Sequence, residues 1–86
     1  MRANRTDYTI VRELRSDDGE FFDSEELELY HNEDDAREAA LELMHENEDE
    51  YTFVEDLALH TVFSIRVERF VHGCISHVDY IEYDEL

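Results

Sequence analysis

The most regular hydrophobic pattern in the chain lies in its middle and predicts an amphipathic α-helix. Apolar residues recur there at the i, i+3, i+4, i+7, i+8 spacing of a buried helical stripe, namely Ala36, Ala39, Ala40, Leu43 and Met44. Asn32 is suited to the N-cap position, because its side-chain oxygen can accept hydrogen bonds from the first free N–H groups. Four acids then crowd into residues 46–50. Since acids oppose the helix dipole at a C-terminus, we expect the helix to end near Asn47.

The residues before this helix alternate between apolar and polar side chains and predict extended structure. Residues 8–14 are rich in β-branched and aromatic side chains, and the Asp-Gly step at 18–19 is typical of a tight hairpin turn. We therefore expect a hairpin over residues 7–23. Leucines alternate with other residues over 26–30, which indicates a second short strand before the helix. A helical turn beginning at Ser24 is the alternative.

The residues after the helix predict a second hairpin. Residues 51–59 fit either a strand or a short helix, whereas residues 62–71 alternate regularly and form the clearest strand in the sequence. Gly73 marks a turn, after which residues 75–83 return. The pattern predicts an α+β fold, in which two hairpins form a small antiparallel β-sheet and one main α-helix packs on one face. A chain of this length corresponds to a single domain over residues 1–86.

Charge changes this picture more than any motif does. The chain has 25 Asp and Glu against seven basic residues, all of them Arg, and its net charge is −18. Its hydrophobic content of 42% is ample for a folded chain. Because self-repulsion at this charge costs stability, we interpret the acidity as functional.

The sequence also bears on where the protein works. A single cysteine, Cys74, excludes an internal disulfide and fits a reducing compartment. Residues 1–7 lack the apolar run of a secretion signal, and no segment has the length and hydrophobicity of a membrane span. We therefore expect a cytoplasmic protein.

Sequence signals for catalysis, cofactors or metals are weak. With only two glycines, the chain has no phosphate-binding loop, and no serine stands in a nucleophile-elbow context. The histidines and the cysteine over 72–77, with His60 as a fourth ligand, supply zinc-type side chains. However, a closed structural zinc site normally has two paired spacings, and only one is present. We interpret these side chains as solvent-exposed hairpin residues, and we expect a non-enzymatic protein with no cofactor and no metal.

The magnitude of the charge suggests a class of partner. A compact chain of this length has a radius of gyration of about 12 Å and a diameter of roughly 30 Å. A piece of duplex DNA about 30 Å long carries roughly 18 negative charges, which equals the net charge of the protein. Acids concentrate in residues 13–35 and 46–56, where strand and helix spacings of roughly 6 Å can arrange carboxylates in rows. The sequence therefore predicts a surface charged like DNA.

In size, acidity and predicted build, the chain resembles the small phage-encoded inhibitors of bacterial defence, namely the anti-CRISPR proteins and other DNA mimics. The resemblance extends over all 86 residues and is carried by the acidic runs 13–35 and 46–56. It implies an inhibitor that occupies the basic nucleic-acid-binding groove of a defence effector complex, a restriction enzyme or a nucleoid protein, in the cytoplasm of the host cell. The acids that would meet this partner are Glu13, Asp17, Asp18, Glu20, Glu25, Glu26, Glu28, Glu33, Asp34, Asp35, Glu46, Glu48, Asp49 and Glu50.

Two other functions are compatible with the same composition. An antitoxin or immunity-type protein that caps a basic toxin would gain rapid association from this charge. A domain adapted to concentrated salt, with no basic partner, would also be acidic and free of lysine. Because seven arginines among 25 acids cannot form a basic patch, we expect no direct binding of DNA or RNA.

Overall fold

The structure, a computed structural model, describes residues 4–47, 51–54 and 56–86. Over these residues the chain has the predicted α+β class, with an antiparallel sheet and one α-helix. The strands are β1 (Arg5–Ser16), β2 (Phe21–Tyr30), β3 (Tyr51–Val54), β4 (Leu57–Val71) and β5 (Cys74–Ile81); the helix α1 spans Glu33–Glu46, and a short 3-10 helix spans Tyr83–Glu85.

Strand β4 is the axis of the sheet. One of its edges pairs with β1 in unbroken antiparallel register, from Arg5–Phe70 to Ser16–Leu59. Its other edge is shared by two strands, because β3 pairs with the first part of β4 and β5 pairs with the last part. Strand β2 pairs with the remaining edge of β1, which gives the order β2-β1-β4-β3, with β5 also paired to β4.

The strands differ from the predicted hairpins in number and length. Strand β2 is continuous from Phe21 to Tyr30. The prediction of a separate short strand before the helix is therefore wrong, and so is the alternative of a helical turn beginning at Ser24. Two register shifts between β1 and β2 keep this acidic strand paired along its length. Residues 51–59, whose pattern fits either strand or helix, contain β3 and the start of β4. The described residues therefore contain five strands, one more than two hairpins provide.

The turn predicted at Gly73 connects β4 to β5. His72 and Gly73 both have positive φ angles, of 54° and 83°. Positive φ at both central residues is the requirement of a type I′ turn, whose twist matches that of the flanking strands.

Helix α1 begins and ends where the sequence predicts. The side-chain oxygen of Asn32 accepts hydrogen bonds from the backbone N–H groups of Asp34 (2.8 Å) and Asp35 (3.2 Å). At the other end, the backbone N–H and the side-chain amide of Asn47 both donate to the carbonyl of Leu43, at 3.0 and 2.8 Å. The helix therefore has a hydrogen-bonded cap at each end.

The core lies between α1 and one face of the sheet. Ala36 and Ala40 are fully buried in a cluster with Ile10, Phe63, Ile65 and Val67. Alanine side chains let the helix approach the sheet closely, which suits the small volume of this core. Partly buried side chains extend the core at its margins, namely Tyr8, Tyr30, Ala39, Leu43, Met44, Ile81 and Leu86. We call this side of the sheet the helix-covered face.

The molecule is longer than a compact chain of its size. Its principal extents are 53 × 21 × 18 Å and its radius of gyration is 14.7 Å, so the predicted radius of about 12 Å is wrong. The cause is the length of β4, because 15 residues in a strand extend over about 50 Å.

A larger side chain at the helix–sheet contact should destabilise the protein. Because Ala40 has no exposed surface, Ala40→Leu should cost about 1–3 kcal/mol in the free energy of unfolding, measured by urea denaturation. The control is Glu38→Leu, which adds a leucine at an exposed position of the same helix and should change stability by less than about 0.5 kcal/mol. Equal stabilities for the two variants would contradict the close packing of α1 on the sheet.

Candidate functional site

The acids of the β1–β2 turn form one group at the end of the sheet. The turn is closed by hydrogen bonds from Gly19 N–H to Ser16 O and from Ser16 N–H to Glu20 O, both at 2.9 Å. The Ser16 hydroxyl donates to Asp18, and this hydrogen bond is the main cause that lowers the pKa of the Asp18 carboxyl. Asp17 lies 2.6 Å from Nε2 of His60 on β4. The turn acids are exposed, but two of them are bound locally.

Four of the predicted partner-binding acids are paired with arginines of the same chain. These pairs are Glu13 with Arg15, Glu25 with Arg12, Glu26 with Arg66, and Glu33 with Arg37. The hydrogen bond between Arg66 and Glu26, at 2.8 Å, lowers the pKa of the Glu26 carboxyl and raises that of the Arg66 guanidinium. These four carboxylates are therefore partly neutralised in place and are less available to a partner.

The alternation of strand side chains separates acids that are neighbours in the sequence. Glu25 pairs across the sheet with Arg12, and Glu26 pairs with Val11, so the two carboxylates lie on opposite faces. A register shift follows Glu26, and Glu28 is placed on the side of the helix, where it lines a groove. The acids of β2 therefore do not form a single row.

A groove between β2 and α1 brings other acids together. It has a volume of about 260 Å³ and is lined by Glu28, Tyr30, Ala39, Glu42, Leu43 and Glu46. Three carboxylates thus surround an apolar and aromatic floor, and among the described residues no arginine pairs with any of them. We call this feature the acidic groove.

Tyr30 is sensitive to the charges of the acidic groove. Burial is the first cause that raises the pKa of its phenol, and the negative charges of Glu28, Asp35 and Glu42 raise it further. Asp35 therefore acts on the same ring from the first turn of α1. A neutral phenol among carboxylates is a hydrogen-bond donor that stays protonated above its ordinary pKa.

The remaining predicted acids lie at the ends of the helix or outside the described residues. Asp34 and Asp35 are exposed in the first turn of α1. The β1–β2 turn lies at the other end of β1, roughly 26 Å from Tyr8 along the strand, so the turn acids and the helix acids are separate groups. Glu48, Asp49 and Glu50 lie outside the described residues.

Sequence reasoning missed one acid of the groove. Glu42 follows Asp35 and Ala39 on one flank of α1 and precedes Glu46 by one turn. The helical spacing of 35, 39, 42 and 46 was readable in the sequence. What the sequence lacked was the position of β2, whose Glu28 and Tyr30 form the opposite wall.

The zinc-type side chains do not form a cluster. Among the residues that the structure describes, no group of three or more His, Cys, Asp or Glu is placed to hold a metal ion. His72 lies in the β4–β5 turn, Cys74 is exposed at the start of β5, and His77 pairs across the sheet with Arg69.

The prediction that the protein carries the same charge as a DNA segment of its own length is wrong. The protein is 53 Å long and not roughly 30 Å, and duplex DNA of that length carries about 31 charges against the 18 of this chain. The chain as a whole is therefore less densely charged than DNA. Any likeness to a phosphate row has to be local.

No family model, curated protein or solved structure matches this chain. The described residues also contain no helix with both the length and the apolar composition needed to cross a bilayer.

Removing a charge from the acidic groove should shift the titration of Tyr30. Glu42→Gln should lower the pKa of Tyr30 part of the way towards its ordinary value, because burial, the larger cause, remains. Because the pKa of Tyr30 is raised in the folded protein, its phenol stabilises the folded state at pH values below the ordinary pKa of tyrosine. This contribution is lost as the pH rises through the folded-state pKa. Carbon-13 NMR of labelled tyrosine measures the titration.

The matched control for this titration is Glu20→Gln, which removes one charge from the β1–β2 turn at the other end of the hairpin. It should leave the pKa of Tyr30 unchanged at physiological salt, where charges are screened beyond about 8 Å. Equal shifts in the two variants would mean that the net charge of the molecule acts on Tyr30, and not the local groove.

Proposed function

We propose that this protein is a non-enzymatic inhibitor that binds basic nucleic-acid-handling proteins through the acidic groove, as a local DNA mimic. The observation that carries the proposal is the separation of carboxylates into two sets. Glu13, Glu25 and Glu26 of the sheet are paired with arginines of the chain, whereas Glu28, Glu42 and Glu46 of the groove have no arginine partner among the described residues. A set of carboxylates without a paired arginine from the same chain is suited to cations from a partner.

The shape and chemistry of the groove fit an arginine or lysine side chain. The aliphatic stem of such a side chain can pack on Leu43 and on the ring of Tyr30, while its charged end reaches the carboxylates. Arginine is favoured over lysine, because its planar guanidinium can bind two carboxylates at once and can stack on an aromatic ring.

Such a site explains how a small acidic chain would inhibit. Nucleic-acid-binding proteins present arginines and lysines in grooves that normally hold phosphates. The carboxylates of the acidic groove would pair with the same cations and exclude the nucleic acid. The high net charge outside the groove speeds the encounter, since it attracts a basic surface over a longer range.

A short polyarginine peptide is the simplest probe of the acidic groove. We expect the triple variant Glu28→Gln, Glu42→Gln and Glu46→Gln to bind this peptide about tenfold more weakly than the parent, since partly desolvated ion pairs exceed the roughly 0–1 kcal/mol of exposed ones. Fluorescence anisotropy at about 50 and about 200 mM salt measures the affinity, which should fall as salt increases.

The control changes the net charge by the same amount at another place. Asp17→Asn, Asp18→Asn and Glu20→Gln together neutralise the β1–β2 turn and should weaken binding of the peptide much less than the groove variant does. If the two triple variants bind equally, the protein attracts cations only through its net charge, and the acidic groove is not the site.

Competition with duplex DNA tests the inhibitory part of the proposal. Purified CRISPR effector complexes, a restriction enzyme and a nucleoid protein are each tested for binding to the parent protein with and without excess duplex DNA. We expect DNA to displace the protein from any partner that it binds, because both occupy the same basic groove. Binding that persists in saturating DNA would contradict mimicry and would favour an inhibitor of a basic toxin.

A further inference from the structure

The face of the sheet opposite α1 is not covered by any element of the described chain. Cross-strand register places the odd-numbered residues of β1 and the even-numbered residues of β4 on this side. Their neighbours across the outer ladders, such as Leu29 on β2 and Tyr80 on β5, lie on the same side. We call this surface the open sheet face.

Charged side chains on the open sheet face are paired with each other. Arg66 approaches both Glu26 (2.8 Å) and Glu68 (3.7 Å), and its side chain is only 21% exposed. Arg15 approaches Glu13 at 2.8 Å, and the Glu13 side chain is 14% exposed. The low exposure of Arg66, Glu68 and Glu13 on an uncovered surface means that these side chains lie against the central strands, where Ser64 is buried.

Ion pairs also occur on the open sheet face at the end of the sheet where β1 begins. Arg5 contacts Asp7 at 3.3 Å and also lies over the ring of Phe70, 4.1 Å from its centroid. His31 adds a second contact to Asp7, at 3.0 Å. Each of the arginines at the centre and ends of this face therefore has a carboxylate of the same face as its partner.

The open sheet face is thus nearly neutral on a protein with a net charge of −18. Its three arginines on β1 and β4 oppose the carboxylates of Asp7, Glu13, Glu26 and Glu68. The helix side, by contrast, carries the acidic groove. Two copies of the chain can therefore approach through their open sheet faces with far less electrostatic repulsion than through the sides that carry α1 and the acidic groove.

Apolar side chains flank this charged layer. Leu29, Ile75, Val78 and Tyr80 lie on the open sheet face with 42–53% of their surface exposed. Burial of such side chains supplies the favourable energy that paired charges do not.

The open sheet face is large enough for a stable contact. The two longer extents of the molecule, 53 and 21 Å, bound its area at about 1,100 Å². A standard protein interface buries about 800 Å² on each partner. A second copy stacked on this face would need to cover most of it, and two flat sheets can do so at a separation of about 10 Å.

We propose that a second copy of this chain docks on the open sheet face, so that two sheets pack face to face and the two helices lie on the outside. The charge balance of this face and its area favour a second copy over a strongly charged partner. In this dimer the two acidic grooves face away from each other and remain open. The layers of sheet and helix separate them by more than 20 Å, which exceeds the screening length of about 8 Å at physiological salt.

Two of the outer strands, β2 and β5, carry hydrogen bonds that oppose the alternative route to self-association, which is pairing through strand edges. The backbone N–H of Ser24 on β2 donates to the carboxylate of Asp23 at 2.9 Å, and that of Tyr80 on β5 donates to Asp79 at 2.8 Å. A strand that paired with either edge would have to displace this carboxylate.

Sedimentation velocity over about 5 to about 500 µM protein at physiological salt tests the dimer, because its mass is twice the 10.3 kDa of the chain. We expect a reversible dimer with a dissociation constant in roughly the micromolar range, since charged pairs at the contact limit its affinity. Val78→Glu and Leu29→Glu, on opposite margins of the face, should each weaken it at least tenfold. Leu41→Glu, on the outer side of α1 with a similar exposure (46%), should leave it intact.

Backbone NMR on dilution gives a second measurement that does not rely on variants. We expect the amide shifts that change with concentration to belong to the open sheet face of β1, β4 and β5 and not to the outer side of α1. A parent protein that stays monomeric over the whole range would overturn the proposal. So would dissociation by Leu41→Glu equal to that by Val78→Glu, or shifts confined to the outer edges of β2 and β5.

Discussion

The antiparallel pairing of β1 with β4 is the interaction on which the rest of the structure depends. Its register is unbroken over the length of β1, so every side chain on these strands is assigned to one face or the other. Ile10, Phe63 and Ile65 fall on the side that α1 covers, and Arg66 falls on the other side. A shift of one residue would exchange these sets and place an arginine under the helix.

The same register distributes the charges. Arginines of the open sheet face lie beside acids of that face and pair with them, while the groove between β2 and α1 collects Glu28, Glu42 and Glu46 without an arginine among the described residues. The net charge of −18 is therefore unevenly presented: one side is nearly neutral and the other is strongly negative. We propose that the negative side binds basic partners and that the neutral side binds a second copy.

Local signals in the sequence predicted the helix well and the sheet less well. Asn32, the stripe from Ala36 to Met44 and the end at Asn47 are set by hydrogen bonds and spacings within a few residues. The length of β2 depends instead on pairing with a distant strand and on register shifts that absorb its irregular pattern. The acidic groove could be predicted only in part, because its two walls come from different elements. The predicted radius of gyration is too small because it applies to a compact chain, whereas the 15-residue strand β4 sets the length of this molecule.

Uneven presentation of charge is the central claim, and paramagnetic probes measure it directly. Amide relaxation enhancements by a cationic and by a neutral nitroxide of similar size are compared residue by residue, and their ratio reports the local potential independently of exposure. We predict a high ratio around Glu42 and Glu46 of α1 and Glu28 of β2, and a ratio near one over the open sheet face of β1 and β4. A ratio that is uniformly high over both sides of the sheet would contradict the account.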